Sequence, residues 1–405
     1  MTPDEELRAR ATRVIPGGMW GHQRAQALPR GYPQFFKDAR GARVRDVNGK
    51  EYIDMMCSWG PVILGHQHPA VDAAARAQND KGLCLDGPTE HAVVLSELLV
   101  EKVVHADWAY FQKNGSDAMT TCVTLARAGT GKRKVLVARG AYHGAVPWCS
   151  PSVAGVTAED RAHIILFEFN DAGSLKDAIA QAGDDLAAII VSAFRHDLGR
   201  PLEMPDQSFA EQARRACDAT GAALIVDDVR AGFRLNMGGT WELFGVRPDL
   251  SAWSKAIANG HPLAAVTGND RFREAAEQVF VTGSFWYAGG PMAAAVATLS
   301  ELTRIDGPAL MRRSGERLRK GLAEQAARHG FDLRQSGPPA MPLVQFVDDD
   351  AQSSLGEAFC GEALGRGVYL HHRHNMFLST AHEDDIIDDL LTRTDEAFAA
   401  LAKRR

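Results

Sequence analysis

Between about residues 90 and 270 this 405-residue chain alternates two hydrophobic periods, and no other feature constrains its fold as strongly. Short runs rich in Val, Ile, Leu and Ala predict strands over 109–112, 135–138, 164–167, 187–191 and 222–226. Stretches with apolar residues three and four positions apart predict helices over 91–104, 118–128, 172–182 and 208–220. A strand that is apolar on both faces must be covered on both, and helices that return the chain between parallel strands supply the cover. The expected fold is therefore α/β, with a mainly parallel central sheet and helices on both faces. Gly129 and Gly221 follow two of the helical stretches and read as their stops.

Beyond Pro291 the pattern changes. Helical stretches over 292–302 and 309–329 are separated by Asp306-Gly307-Pro308, and short strands follow near 343–347, 368–370 and 376–378 before a closing helix near 383–402. Residues 291–405 read as a smaller α+β domain, and residues 61–290 as the large one.

The first chemical signal is a carboxylate and an amine at strand ends. Asp227 closes the apolar run 222–226, and Lys255 follows 28 residues later in Ser251-Ala252-Trp253-Ser254-Lys255-Ala256. Pyridoxal phosphate (PLP) needs a lysine amine for its aldehyde. It also needs a carboxylate opposite its ring nitrogen, so that the protonated ring can accept the electrons of a substrate carbanion. In isolation the pair would read more readily as an acidic loop and an ordinary surface lysine. Upstream, in Lys113-Asn114-Gly115-Ser116-Asp117, Gly115 permits close backbone approach and Ser116 offers a hydroxyl where a helix begins and free N–H groups attract an anion. The same residues make an ordinary helix cap. Tyr142, in Ala141-Tyr142-His143-Gly144, lies beyond the strand over 135–138, where an aromatic ring can stack on a flat cofactor. Taken in order, Gly-Ser, Tyr-His-Gly, Asp and Lys are far more specific than any member alone.

With this set, and with Ser58-Trp59-Gly60-Pro61, Gly65-His66-Gln67-His68-Pro69, Gly232-Phe233-Arg234, Pro248-Asp249-Leu250 and Ser379-Thr380-Ala381-His382, the chain resembles the class III PLP-dependent aminotransferases over nearly its whole length. Within them it is similar to the glutamate-1-semialdehyde 2,1-aminomutase branch. The resemblance implies fold type I of the PLP-dependent transferases, a homodimer with shared active sites, and a segment 1–60 that packs with the smaller domain. It implies that Lys255 holds PLP as a Schiff base and Asp227 pairs with the pyridinium nitrogen. Gly115 and Ser116 would hold the phosphate, with Tyr142 stacked on one ring face and Val229 packed on the other. Trp59 would belong to the substrate site, and Arg24 matches the branch's carboxylate-binding arginine.

Departures from the family bear on the substrate. Where the family usually reads Val-Glu-Pro, the chain reads Val191-Ser192-Ala193-Phe194-Arg195-His196, which offers Arg195 near the expected ring. Thr282-Gly283-Ser284-Phe285-Trp286-Tyr287-Ala288-Gly289-Gly290-Pro291 replaces the usual Gly-Thr-Phe-Ser-Gly-Asn-Pro, and Ser284 is the hydroxyl chosen to approach the neighbouring subunit's phosphate. His374 stands where the branch often has a glutamate.

Composition narrows the rest. A net charge of −6 with no long basic run leaves no electrostatic footprint for nucleic acid or an anionic membrane. The acidic start lacks an apolar signal region, and no apolar stretch approaches spanning length, so a cytoplasmic location is expected. Six scattered cysteines without a Cys-x-x-Cys pair fit reduced thiols. Neither His66-Gln67-His68 nor His371-His372-Arg373-His374 comes with assignable further ligands, and no metal is predicted. The expected activity is amino-group transfer between a small carboxylate-bearing amino donor and a keto or aldehyde acceptor. Intramolecular aminomutase activity is the alternative, and a non-catalytic PLP-binding regulatory module is the alternative from another class.

Overall fold

In chain order the strands are β1 (Phe36–Arg40), β2 (Arg43–Asp46), β3 (Glu51–Asp54), β4 (Trp108–Gln112), β5 (Lys134–Ala138), β6 (Ile164–Phe167), β7 (Leu186–Ser192), β8 (Ala223–Asp227), β9 (Leu250–Trp253), β10 (Ala264–Gly268), β11 (Leu333–Ser336), β12 (Leu343–Phe346) and β13 (Val368–Tyr369). The computed structural model describes residues Met1–Arg404. They fall into two units: Pro69–Asp197 with Leu202–Pro308, and Met1–His68 with Leu198–Pro201 and the residues from Ala309 onward.

The larger unit is built on a seven-stranded sheet of order β4-β10-β9-β8-β7-β5-β6. Its strands pair in parallel except β10, which is antiparallel to both β4 and β9. Because side chains alternate along a strand, each central strand feeds two cores. Ile189, Val191, Leu224 and Val226 pack with Phe209, Ala213 and Trp241. Ala188, Ile190, Ala223 and Ile225 pack on the other face with Met119, Cys122 and Val123. Complete burial of the Val, Leu, Ile, Phe and Met side chains among them is worth about 1.5–3 kcal/mol each, so a one-residue slip would be costly. The register is therefore firm: Ser192 lies beside Asp227, and Asp227 beside Ala252, at the same edge of the sheet.

Gly221 caps the helix Gln207–Thr220 with a left-handed φ of +70°, as expected. Gly129 does not stop its helix. The helix Gly115–Thr130 runs through it and ends at Gly131, φ +68°. Gly129 instead makes room for the Phe272 ring, which would stand 2.6 Å from an added Cβ. The helix Gly289–Ile305 packs on Pro69–Asn79 and Glu90–Lys102 and so lies in the larger unit. This partition therefore differs from divisions after residues 60 and 290.

In the smaller unit β1, β2, β3 and β13 form one sheet and β11 and β12 another. No strand forms over 376–378. That segment donates backbone hydrogen bonds to Pro342, Met55 and Ala340 in turn, so it bridges separate segments without a continuous ladder. After β3 the chain makes a left-handed turn through Cys57, Ser58 and Trp59 (φ +46°, +57° and +66°). Such a conformation is costly for residues with a side chain. The carboxylate of Asp54 holds it, accepting from the N–H groups of Met56 and Cys57 at 2.9 Å each and facing His66 Nε2 at 2.8 Å. Among the described residues no helix is long and apolar enough to cross a membrane.

Candidate active site

A cavity in the larger unit is lined by Asn114, Gly115, Ser116, Tyr142, His143, Gly144, His196, Asp227, Val229, Arg230, Ser254 and Lys255. The structure thus brings together six of the residues singled out in the sequence: Gly115, Ser116, Tyr142, Asp227, Val229 and Lys255.

One end of the cavity is the start of the helix Gly115–Thr130. The side chain of Asn114 caps it by accepting from the Asp117 N–H at 3.1 Å. The first N–H groups of a helix have no intrahelical partner, and the helix dipole adds positive potential there. Gly115 is needed for space, since an added Cβ would come within 2.8 Å of a Val229 methyl group. Gly144 combines φ +134° with an approach in which an added Cβ would meet Ser116 Oγ at 2.5 Å. Ser116 Oγ accepts from the Ala145 N–H at 3.2 Å, which leaves its own proton to donate into the cavity.

The other end carries charge. Asp227, at the tip of β8, is 6% exposed. Its Oδ2 meets His143 Nδ1 at 2.7 Å, and its Oδ1 accepts from the Val229 N–H at 3.1 Å. His143 stacks on Trp148 at 6.5 Å between centroids, and its buried Nε2 has no hydrogen-bond partner. Asp228 points elsewhere: it accepts from the Thr240 N–H and hydroxyl, and burial raises its pKa to about 6. Lys255 follows β9 with a left-handed φ of +47°, a strained conformation for a lysine. Loss of hydration and the nearby Arg230 guanidinium lower its amine to about 7 from an ordinary 10.5. The Ser254 hydroxyl, donating to the Leu263 carbonyl at 3.0 Å, anchors the preceding residue.

These features fit pyridoxal phosphate. A helix start with close-approach glycines suits a phosphate, an exposed Tyr142 ring and Val229 suit the two faces of a flat ring, and a buried carboxylate suits a ring nitrogen. Lys255 offers an amine whose proton affinity burial lowers to about 7, so that a substantial fraction is unprotonated near neutrality.

Other expected residues lie apart from this cavity lining. Arg195 forms an ion pair with Glu203 at 2.6 Å across an isolated β-bridge between the same two residues. Ser284 is exposed in the segment between the helices Arg273–Gln278 and Gly289–Ile305. Arg24 and Trp59 belong to the smaller unit. There Trp59 is met edge-on by His22 (4.6 Å), His374 (5.0 Å) and His371 (5.8 Å). Among the described residues no group of three or more His, Cys, Asp or Glu side chains is arranged to hold a metal ion. Sequence reasoning quoted His143 and His196 without a role and passed over Arg230. His143 meets its carboxylate across 84 residues, so no local pattern announces the pair.

The family described as Aminotransferase class-III matches residues 27–399. The chain is 47% identical over 402 residues to the aminopentol aminotransferase of Sphingopyxis macrogoltabida, covering 99% of this chain and 95% of that one. It is 32% identical over 434 residues to a glutamate-1-semialdehyde 2,1-aminomutase of Neisseria gonorrhoeae, covering 99% and 100%. Among solved structures it is similar to the FumI protein of a Sphingopyxis species in its PLP internal aldimine form. That similarity has 46% identity and a TM-score of 0.96, and covers 99% of this chain and 96% of that one.

Proposed function

The chain belongs to the class-III aminotransferases and is a PLP-dependent enzyme, and from that premise we propose that Lys255 and Asp227 carry its chemistry. The observation that supports these roles best is the single cavity that holds both, together with a helix start suited to phosphate. Bound PLP supplies an aldehyde for amines and a ring that takes up the electron pair left when a substrate C–H bond breaks. The chain's own groups do the rest. The Lys255 Nζ, with its lowered proton affinity, takes the proton from the substrate carbon and returns it at the next position. The Asp227 carboxylate, held by His143 and the Val229 N–H, would keep a proton on the ring nitrogen. Gly115 and Ser116 would hold the phosphate, and Tyr142 and Val229 would confine the ring.

The reaction is intermolecular transfer between a small amino donor and a keto or aldehyde acceptor, with Trp59 and either Arg24 or Arg195 engaging substrate. The greater identity to an aminotransferase than to an aminomutase supports transfer over rearrangement. Aminopentol, the compound in the name of the 47%-identical relative, is the first donor to assay, followed by carboxylate-bearing amines. With a competent donor and no acceptor, one equivalent of keto product per chain should be released, its nitrogen left behind on the enzyme. An amino substrate isomerised with its nitrogen retained would establish the aminomutase alternative instead. Borohydride fixation followed by peptide mapping should place the cofactor on Lys255, and a label on any other lysine would remove the central assignment.

The enzyme acts as a homodimer in the cytoplasm. Leu83, Leu85, Val93, Phe280 and Phe285 are exposed on the larger unit, and the Gly289 N–H, donating to the Leu83 carbonyl at 2.9 Å, ties two of their segments together. Exposed apolar side chains grouped in this way mark an interaction surface. Ser284 lies in one of these segments and would reach the partner's phosphate site. Six free cysteines, most of them buried, accord with a reducing compartment. If Ser284→Ala leaves PLP affinity unchanged, the cross-subunit contact is wrong.

A further inference from the structure

Arg230 is a cation in the cavity that the proposed reaction does not use. It leaves β8 on a turn whose backbone is fixed at several points. The Val229 N–H donates to Asp227 Oδ1 (3.1 Å), the Asp228 N–H to the Ala252 carbonyl (3.0 Å) and the Gly232 N–H to the Asp228 carbonyl (2.8 Å). Gly232 is packed too closely to carry a side chain, since an added Cβ would stand 2.6 Å from the Trp253 ring and 2.8 Å from the Asp228 carbonyl oxygen. Arg230 lines the cavity from this turn, and Lys255 lines the same cavity from the end of β9, the strand paired with β8.

Two cationic side chains therefore face one space. Burial lowers the Arg230 guanidinium to about 10 against the opposing pull of Asp227, Tyr142 and Asp197, so it still holds its proton at neutrality, where a buried ammonium can give its proton up. When like charges compete in a site poor in water, the group that can neutralise does so. We propose that Arg230 acts on Lys255 as a fixed cation that displaces the proton from its amine, leaving the nitrogen free as nucleophile and base. Arg230 is a positioning residue for this purpose, acting through Lys255.

The surrounding groups decide the balance. Asp227, at the end of β8, favours the protonated amine. It is already shared with His143 and the Val229 N–H, which divides its influence. Arg234 works in the same sense as Arg230 from further along the chain. His196, from the segment after β7, is held neutral by burial and by Arg230 and adds no charge. The Asp228 carboxylate is turned to Thr240 and away from this cavity. Loss of hydration and Arg230 are the two largest influences lowering the Lys255 amine.

The usefulness of a free amine rests on the aminotransferase reading, but its protonation can be measured without cofactor. Full-length protein stripped of PLP would be labelled with trace acetic anhydride across pH 5–11, with Lys255 reactivity read by peptide mass spectrometry against the other lysines as internal references. In the wild type the Lys255 midpoint should fall near neutrality. Arg230→Gln should raise it by about one pH unit or more, and Arg230→Lys should restore most of the depression. Circular dichroism melts would confirm that each variant is folded. A folded Arg230→Gln protein with an unchanged midpoint overturns the proposal, as does an Arg230→Lys midpoint equal to that of Arg230→Gln. Borohydride mapping to another lysine would refute the cofactor assignment and leave this result standing, so the two failures are distinguishable.

Discussion

The two ends of the cavity solve different problems with different materials. At the helix start the groups are neutral: backbone N–H donors, a serine hydroxyl, and glycines that let them approach. At the sheet edge the groups are ionisable, with Asp227, His143, Arg230 and Lys255 all lining the cavity. Helix donors are aligned by the helix itself and need no protonation state, which suits that end to the binding role proposed for it. The charged end depends on which group holds which proton, which suits it to the proposed chemistry. If this division is right, variants at the two ends should separate affinity from turnover.

The largest effect is expected from Asp227→Asn. Removing the negative charge should lower kcat by about 10²–10³-fold, as loss of a preorganised electrostatic group does. PLP affinity, followed by fluorescence titration, should change less. A variant that loses PLP affinity but turns over normally when saturated would break the comparison. Next is the pH dependence of cofactor-free protein. The folded Lys255 amine sits near 7 against an ordinary 10.5, so the unfolded chain takes up this proton first as pH falls. Its contribution to stability is present above about 10.5 and is lost as pH drops towards 7. Lys255→Met should remove this slope, on the order of 3 kcal/mol after allowing for partial solvent contact. Urea melts at pH 7 and pH 10 test it, and equal slopes in both proteins would contradict the charge crowding at this end.

Ser116→Ala sharpens the other side. A hydrogen bond to a charged group is worth about 1.5–3 kcal/mol, so PLP should bind roughly ten- to a hundredfold more weakly with kcat at saturation almost unchanged. A fall in kcat without loss of affinity would place Ser116 in the chemistry. The smallest effect is expected from Asn114→Ala, which removes the helix cap and should cost about 1 kcal/mol of stability in denaturant melts. PLP affinity should shift by less than in Ser116→Ala, because backbone donors remain in place.

How much of this was legible in the sequence follows from the range of each interaction. The strands β5 to β8 were readable within a residue or two, because buried strands declare themselves by continuous apolar runs. Gly221 was readable as a cap, whereas Gly129 was misread, because a helix stop is a local event and the Phe272 ring that packs on Gly129 is not. The antiparallel insertion of β10 between β4 and β9 had no local signal, since a short apolar run carries no direction. The position of Arg195 after the β7 strand offers it to the expected ring, but its pairing with Glu203 depends on a β-bridge that the sequence does not announce.

By itself, then, the sequence determined the α/β class, the strand ends and helix start that present Asp227, Lys255, Gly115 and Ser116, and the cofactor those residues suit. Each depends on the period or cap of a dozen neighbouring residues. Tertiary structure alone decided that His143 holds Asp227, that Arg230 shares the cavity with Lys255, and that Arg195 is already engaged. Charges act through space, and the sheet brings side chains many residues apart within a few ångströms, so protonation and pairing belong to the fold.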